Sequence, residues 1–250
     1  MQGKRVLIVG ASAGIGRAMA VAAVGRGAEV VLTARRADKL AEAVAEAGGG
    51  RAVALDVHDG AACVSVVEAA VEHLGGLDLV VYAAGASPLK RLADIDAEDF
   101  DAVFATNVVG VHQVVRAALG HLAPDAVVAV LSSETVGRPR LALGAYSASK
   151  AALEELLRAW RTEAPGVRFS TLAVGATFPT EFGDGFEGDV LGPAMEDWIR
   201  NGFMQTEFMD TAEVGRVLVD TLASALDHPT VNVEHLSLRS ASPTLGTPES

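Results

Sequence analysis

Six short apolar runs recur along the chain: RVLIV (5–9), EVVLT (29–33), AVAL (52–55), LDLVVY (77–82), AVVAVL (126–131) and VRFSTLAV (167–174). They are rich in valine and leucine and lack polar alternation, the pattern of parallel strands buried on both faces. Between them lie helical segments such as IGRAMAVAAVGRG, ADKLAEAVAEAGG and AACVSVVEAAVEHLGG, each ending in glycine, a common C-terminal stop. A repeated β-α unit with right-handed crossovers predicts an α/β, three-layer doubly wound (Rossmann) fold. The expected sheet is parallel and seven-stranded in the order 3-2-1-4-5-6-7, its last strand drawn from VNVEHLSL (231–238).

At 250 residues and 50% hydrophobic content, one such domain over residues 1–239 accounts for the chain. Residues 176–210 break the pattern: they carry no clear period and contain Pro179 and Pro193, so they read as a long irregular insert, which in a compact domain is usually functional. The tail, SASPTLGTPES (240–250), is polar and proline-containing and reads as disordered.

The net charge of −12 repels phosphate backbones and anionic membranes, so nucleic acid is excluded as an expected partner. No run of eighteen apolar residues suggests a membrane span, and the start, MQGKRVLIVG, is too short in apolar residues for a signal-peptide core. A lone cysteine, Cys63, allows no internal disulfide and points to a reducing, cytoplasmic setting. The six histidines show no metal-ligand spacing, so no metal is expected.

Two motifs carry chemistry. In VGASAGIG, Gly10, Gly14 and Gly16 follow the first strand and open the first helix, where a diphosphate can approach free N–H groups and the positive end of the helix dipole. The spacing is G-x-x-x-G-x-G; a glycine-rich turn without a ligand is the alternative. In YSASK, Tyr146 and Lys150 stand at i and i+4, on one face of a helix if GAYSASKAALEELLRAW is helical, as its Ala, Leu and Glu content supports. A tyrosine has an ordinary pKa near 10, and a neighbouring ammonium lowers it toward the range of a working acid and base. An ordinary helix-surface pair is the alternative.

Together, GASAGIG and YSASK resemble the short-chain dehydrogenase/reductase family of single-domain NAD(P)-dependent enzymes, over about residues 4–238. The resemblance implies an alcohol–ketone oxidoreductase. That family places its catalytic serine thirteen residues before its tyrosine, which implies Ser133, with Ser132 as supporting neighbour. Tyr146 then carries the proton, Lys150 tunes it and holds the nicotinamide ribose, Ser133 binds the substrate oxygen, and Asn107 anchors a water leading protons to Lys150. The implied cofactor contacts are Gly10, Ser12, Ala13, Gly14, Ile15 and Gly16 at the turn, and Asp56 and Val57 at the adenine. Ala84, Gly85, Tyr146, Lys150, Gly175 and Thr180 complete them. Where the family usually has Asn-Asn-Ala-Gly, this chain has YAAG, with Tyr82 and Ala83 in place of both asparagines; Val174-Gly175 stands near the family's Pro-Gly.

The second strand ends VVLTARR. An acid there selects NAD; here Ala34 takes its place and Arg35 and Arg36 follow, which favours NADP(H), with NAD(H) as alternative. Ala13, where many NADP-using relatives have a basic residue, counts against it. The insert holds Phe178, Phe182, Phe186, Trp198 and Phe203, read either as a lid over a bulky apolar small-molecule substrate or as simple packing onto the sheet. By resemblance the helices of Asn107 and Tyr146 pair across a two-fold axis, giving a homodimer or homotetramer. A non-catalytic NADP(H)-binding sensor would be free to lose Tyr146, Lys150 or Ser133, yet all three are present. A dehydratase or epimerase usually belongs to a longer chain.

Overall fold

A computed structural model of the protein describes residues 1–184, 186 and 188–245. Seven strands form one all-parallel sheet: β1 (Arg5–Val9), β2 (Glu29–Ala34), β3 (Arg51–Ala54), β4 (Leu77–Tyr82), β5 (Leu122–Ser133), β6 (Arg168–Val174) and β9 (His235–Leu238). Their spatial order is β3-β2-β1-β4-β5-β6-β9, as the sequence pattern predicts. The seventh strand is ninth in the chain because β7 (Thr177–Phe178) and β8 (Met209–Asp210) form a separate parallel pair in the insert. It is also shorter than expected, since residues 231–234 lie outside it.

Helices α1 (Gly14–Gly25), α2 (Ala37–Ala47) and α8 (Thr211–Asp227) cover one face, where Met19, Leu40, Leu218 and Leu222 pack against Ile8, Leu32 and Leu172. On the other face α3 (Gly60–Leu74), α5 (Gly110–Ala118) and α6 (Gly144–Glu163) bury Val67, Val111, Leu153 and Leu157 against Leu7, Val80 and Phe169. Each such side chain, fully withdrawn from water, contributes about 1.5–3 kcal/mol, which explains why the central strands read as unbroken apolar runs. Cys63 belongs to this second core, and burial pushes its thiol up to about 11.

Residues 97–121 form one helical stretch made of α4 (Ala97–Phe104), a π-helical turn (Ala105–Val109), α5 and a 3-10 turn (Leu119–His121). By length and mean hydropathy, 1.3, it could cross a membrane. Its apolar face is instead spent on the sheet and α3, through Val111, Val114, Val115 and Ala118.

The insert is more regular than its sequence suggests. Helix α7 (Gly188–Arg200) runs through Pro193, and Val190, Ala194 and Trp198 recur every fourth residue against Leu89, Leu141 and Leu143. Gly192 and Pro193 hide that period in the sequence. The tail differs too: the Leu245 N–H donates to the Met204 carbonyl at 2.8 Å and Thr244 bridges Gln205, so residues 240–245 pack on the insert, while 246–250 lie outside the described residues.

Candidate active site

The glycine turn is built by close approach. Gly10 has φ +87° and lies so near β4's end that a Cβ would sit 2.3 Å from the Ala84 nitrogen; one on Gly16 would sit 2.2 Å from the Gly10 carbonyl oxygen. Only glycine fits either place. At Gly14, φ +53°, a Cβ would meet only Thr180, at 3.6 Å. Ala13 caps α1 without a side-chain hydrogen bond, so the first-turn N–H groups of α1 have no capping side chain. A backbone turn open above Gly14, with uncapped amides and Ser12 beside it, fits a dinucleotide diphosphate.

The sequence-predicted cofactor residues line the carboxyl ends of the strands. Ala34 closes β2; Arg35 and Arg36 follow it and are exposed. Among the described residues the Arg35 side chain has no hydrogen bond or ion pair, whereas Arg36 Nη2 pairs with Glu181 Oε2 at 2.5 Å. Asp56 is exposed and accepts from the His58 N–H at 3.0 Å, Val57 is buried, and Ala84 and Gly85 follow β4. Gly175 donates its N–H to the Leu238 carbonyl, 2.9 Å, and Ile15 lies in the first turn of α1.

At the end of β5, Ser133 Oγ accepts from the Thr135 N–H at 3.2 Å and the Thr135 hydroxyl at 3.1 Å. With its acceptor sites used, its own proton is left to donate. Tyr146 and Lys150 lie one turn apart on α6, with Lys150 Nζ 5.7 Å from the Tyr146 ring centroid. The ammonium donates to the Leu131 carbonyl at 2.8 Å, and burial pushes it down to about 8 against the opposing pull of Glu154. Burial raises the Tyr146 phenol above its ordinary value; a hydrogen bond with Ser133 and the charge of Arg140 draw it down, and Glu134 pushes it up. The expected lowering by Lys150 is therefore not the controlling effect. Desolvation is, because both groups sit where water is scarce.

Asn107 is fully buried in the π-helical turn. Its Nδ2 donates to the Ala86 carbonyl and to Ser149 Oγ, each at 2.9 Å, and its Oδ1 accepts from the Ala86 N–H at 2.9 Å. A Cβ on Gly85 would lie 3.6 Å from that Oδ1 and 3.9 Å from Lys150 Nζ, so glycine keeps open the ground between them. The π turn is a bulge of the kind often found at functional sites, and it turns Asn107 inward.

Three features escaped the sequence reading. Tyr82 is not a mere loss of asparagine: its hydroxyl donates to the Thr106 carbonyl at 2.6 Å, one residue before Asn107. Glu134, next to Ser133, is paired with Arg140 and, at 2.9 Å, with Arg239, and its side chain is 6% exposed. Ser132 Oγ donates to the buried Glu154 at 2.6 Å.

The five insert aromatics expected at the substrate do not stay together. Phe182 stacks edge-on to Tyr146, 5.1 Å between centroids, and Phe186 edge-on to Phe182, 5.4 Å. Trp198 is core, its indole N–H donating to the Leu141 carbonyl at 3.0 Å. Phe203 lies beneath Arg138 and Arg140, and Phe178 is exposed beside Phe208. None of them lines the cavity of about 190 Å³ beside Ser133, which is walled by Glu134, Arg138, His235 and Arg239. Among the described residues no three His, Cys, Asp or Glu side chains gather to hold a metal.

Residues 4–187 match the short chain dehydrogenase family. The chain belongs to that family. A versicolorin reductase of Emericella nidulans is 37% identical over 166 residues, 63% of this chain and 62% of that protein. A probable tetrahydroxynaphthalene reductase of Zymoseptoria tritici is 31% identical over 210 residues, 81% of this chain and 75% of that one. The alcohol dehydrogenase of the archaeon Thermococcus sibiricus, solved with 5-hydroxy-NADP, superposes with a TM-score of 0.81 at 28% identity, over 99% of both chains. A short chain dehydrogenase from Burkholderia cenocepacia in complex with NADP gives the same score at 27% identity, over 95% of this chain and 96% of that one.

Proposed function

We propose that the protein is an NADP(H)-dependent oxidoreductase that interconverts a ketone or aldehyde and its alcohol, with Tyr146 as general acid and base. The observation that carries this reading is the convergence of Ser133, Tyr146 and Lys150 beside an open glycine turn. Arg35 and Arg36 at the end of β2, with no carboxylate at Ala34, favour the 2′-phosphate, and two similar structures hold NADP or a derivative of it.

The bound dinucleotide supplies the hydride. Reduction leaves negative charge on the carbonyl oxygen, so a donor must stand ready there. The Ser133 hydroxyl, its acceptor sites occupied by Thr135, hydrogen-bonds that oxygen, and Tyr146, kept protonated by burial, gives it a proton. Lys150, whose depressed pKa of about 8 lets it exchange a proton near neutrality, reprotonates the tyrosine; Asn107 Oδ1 faces the space from which that proton is replenished. Phe182 beside Tyr146 favours a bulky apolar substrate, and the relatives named as reductases of versicolorin and of tetrahydroxynaphthalene support a bulky ring compound. We further infer a homodimer or homotetramer in the cytoplasm, which light scattering and fractionation test.

The experiment is NADPH consumption against ketones and aldehydes graded from small and polar to polycyclic. Turnover that rises with apolar bulk supports the reading. Tight NADPH binding with no turnover of any member points to a cofactor-binding sensor instead.

A further inference from the structure

The guanidinium placed to meet a 2′-phosphate is already held. Arg36 Nη2 lies 2.5 Å from Glu181 Oε2 and 3.4 Å from Ser12 Oγ. Glu181 opens the short 3-10 turn (Glu181–Gly183) that begins the insert's cover, and the preceding Thr180 stands over Gly14. The insert thus touches the cofactor ground at two points: above the glycine turn and at the end of β2. Glu181 is the carboxylate in contact with Arg36, and the charges of Asp38 and Asp184 add weakly to its pull, while the adjacent Arg35 has no partner among the described residues.

A phosphate dianion entering here finds Arg35 open and Arg36 engaged. Carboxylate and phosphate compete for the same planar fork, and two anions side by side repel. Both partners of the pair are about half exposed, so exchanging Glu181 for phosphate is easy for the carboxylate, which swings into water. Phe182 follows directly and lies edge-on to the Tyr146 ring, 5.1 Å between centroids, so the segment that carries Glu181 also touches that ring.

We propose that Glu181 is a specificity-determining carboxylate that competes with the cofactor's 2′-phosphate for Arg36, so that NADP(H), and not NAD(H), releases the first turn of the lid. The inference rests on the NADP(H) reading above. It differs from simple charge selection by Arg35 and Arg36, because a residue of the substrate lid opposes the cofactor that those arginines attract.

The test is binding, read without turnover: dissociation constants for NADPH and NADH by calorimetry, for the wild type, Glu181→Gln, Arg36→Gln and the double variant. An exposed ion pair amounts to a factor of about five at most, so Glu181→Gln tightens NADPH up to about fivefold at low salt. NADH changes by less than roughly twofold, and in the Arg36→Gln background Glu181→Gln leaves NADPH unchanged within that margin. Hydrogen exchange of residues 180–184 quickens with NADPH and not with NADH. An NADPH constant that is unaltered or weakened in Glu181→Gln overturns the inference while leaving the cofactor reading intact. The same tightening in the Arg36→Gln background, or equal exchange with both nucleotides, also overturns it. A wild type that binds NADH but not NADPH overturns the cofactor reading as well.

Discussion

Ser132 donates its hydroxyl to the buried carboxylate of Glu154 across 2.6 Å, tying the end of β5 to α6 one turn beyond Lys150. The bond joins the strand that presents Ser133 to the helix that presents Tyr146. Ser132→Ala leaves that buried oxygen without its donor, at a cost of about 1–3 kcal/mol. Thermal unfolding is expected to show that loss, and Ser132→Ala combined with Glu154→Leu to recover part of it. An unchanged melting temperature in Ser132→Ala would mean that the pair contributes nothing to joining the two elements.

Tyr82 and Gly110 hold the π turn. A Cβ on Gly110 would lie 2.5 Å from the Tyr82 hydroxyl, and that hydroxyl serves the Thr106 carbonyl. Tyr82→Phe is expected to cost about 1 kcal/mol, the net value of one hydrogen bond. Gly110→Ala costs more, and adding Tyr82→Phe returns part of the loss because the clashing atom is gone. Additive effects in chemical denaturation would contradict this coupling.

The fold and the juxtaposition of Tyr146 and Lys150 were legible in the sequence because their signals are local. Buried parallel strands read as apolar runs, and Tyr146 and Lys150 are one helical turn apart. What was hidden is non-local or irregular. Glu134 meets Arg239 across 105 positions, and nothing beside Ser133 announces a buried ion cluster. The π turn departs from the 3.6 period for only five residues, so Asn107 could be placed by resemblance but its contacts could not. In α7, Gly192 and Pro193 masked an amphipathic helix. The direction of the Tyr146 shift was misread because proximity to Lys150 is visible in a sequence and desolvation is not.

Lys150 makes stability depend on pH. Its folded pKa, about 8, lies below its ordinary 10.5, so between those values the unfolded chain binds more protons and stability rises with pH. Tyr146 acts oppositely: its raised pKa means stability falls as pH climbs past its ordinary 10.0. From pH 8 to 10 the wild type is expected to gain stability relative to Lys150→Met, by up to about 3 kcal/mol at the 1.36 kcal/mol that each unit carries. Parallel curves for the two proteins in urea titrations across that range would refute the depressed lysine.

Phe182 packs against the Tyr146 ring without a polar contact between them. Phe182→Ala is expected to raise KM for polycyclic ketones about tenfold, the order of 1–3 kcal/mol for lost apolar burial, with a smaller change in kcat. Equal loss for small polar ketones would show that the ring positions Tyr146 and does not bind substrate.

The central claim is that the Tyr146 hydroxyl transfers the proton. Tyr146→Phe removes one oxygen from a part-buried ring and leaves the glycine turn, Arg35 and Arg36 untouched. The decisive measurement is single-turnover reduction of a bulky ketone by this variant, beside its NADPH dissociation constant. The account predicts an unchanged constant within roughly twofold and a rate lowered by 10²–10⁴, the usual contribution of a positioned general acid, approximately. A variant that binds NADPH normally and keeps more than about a tenth of the wild-type rate would contradict it.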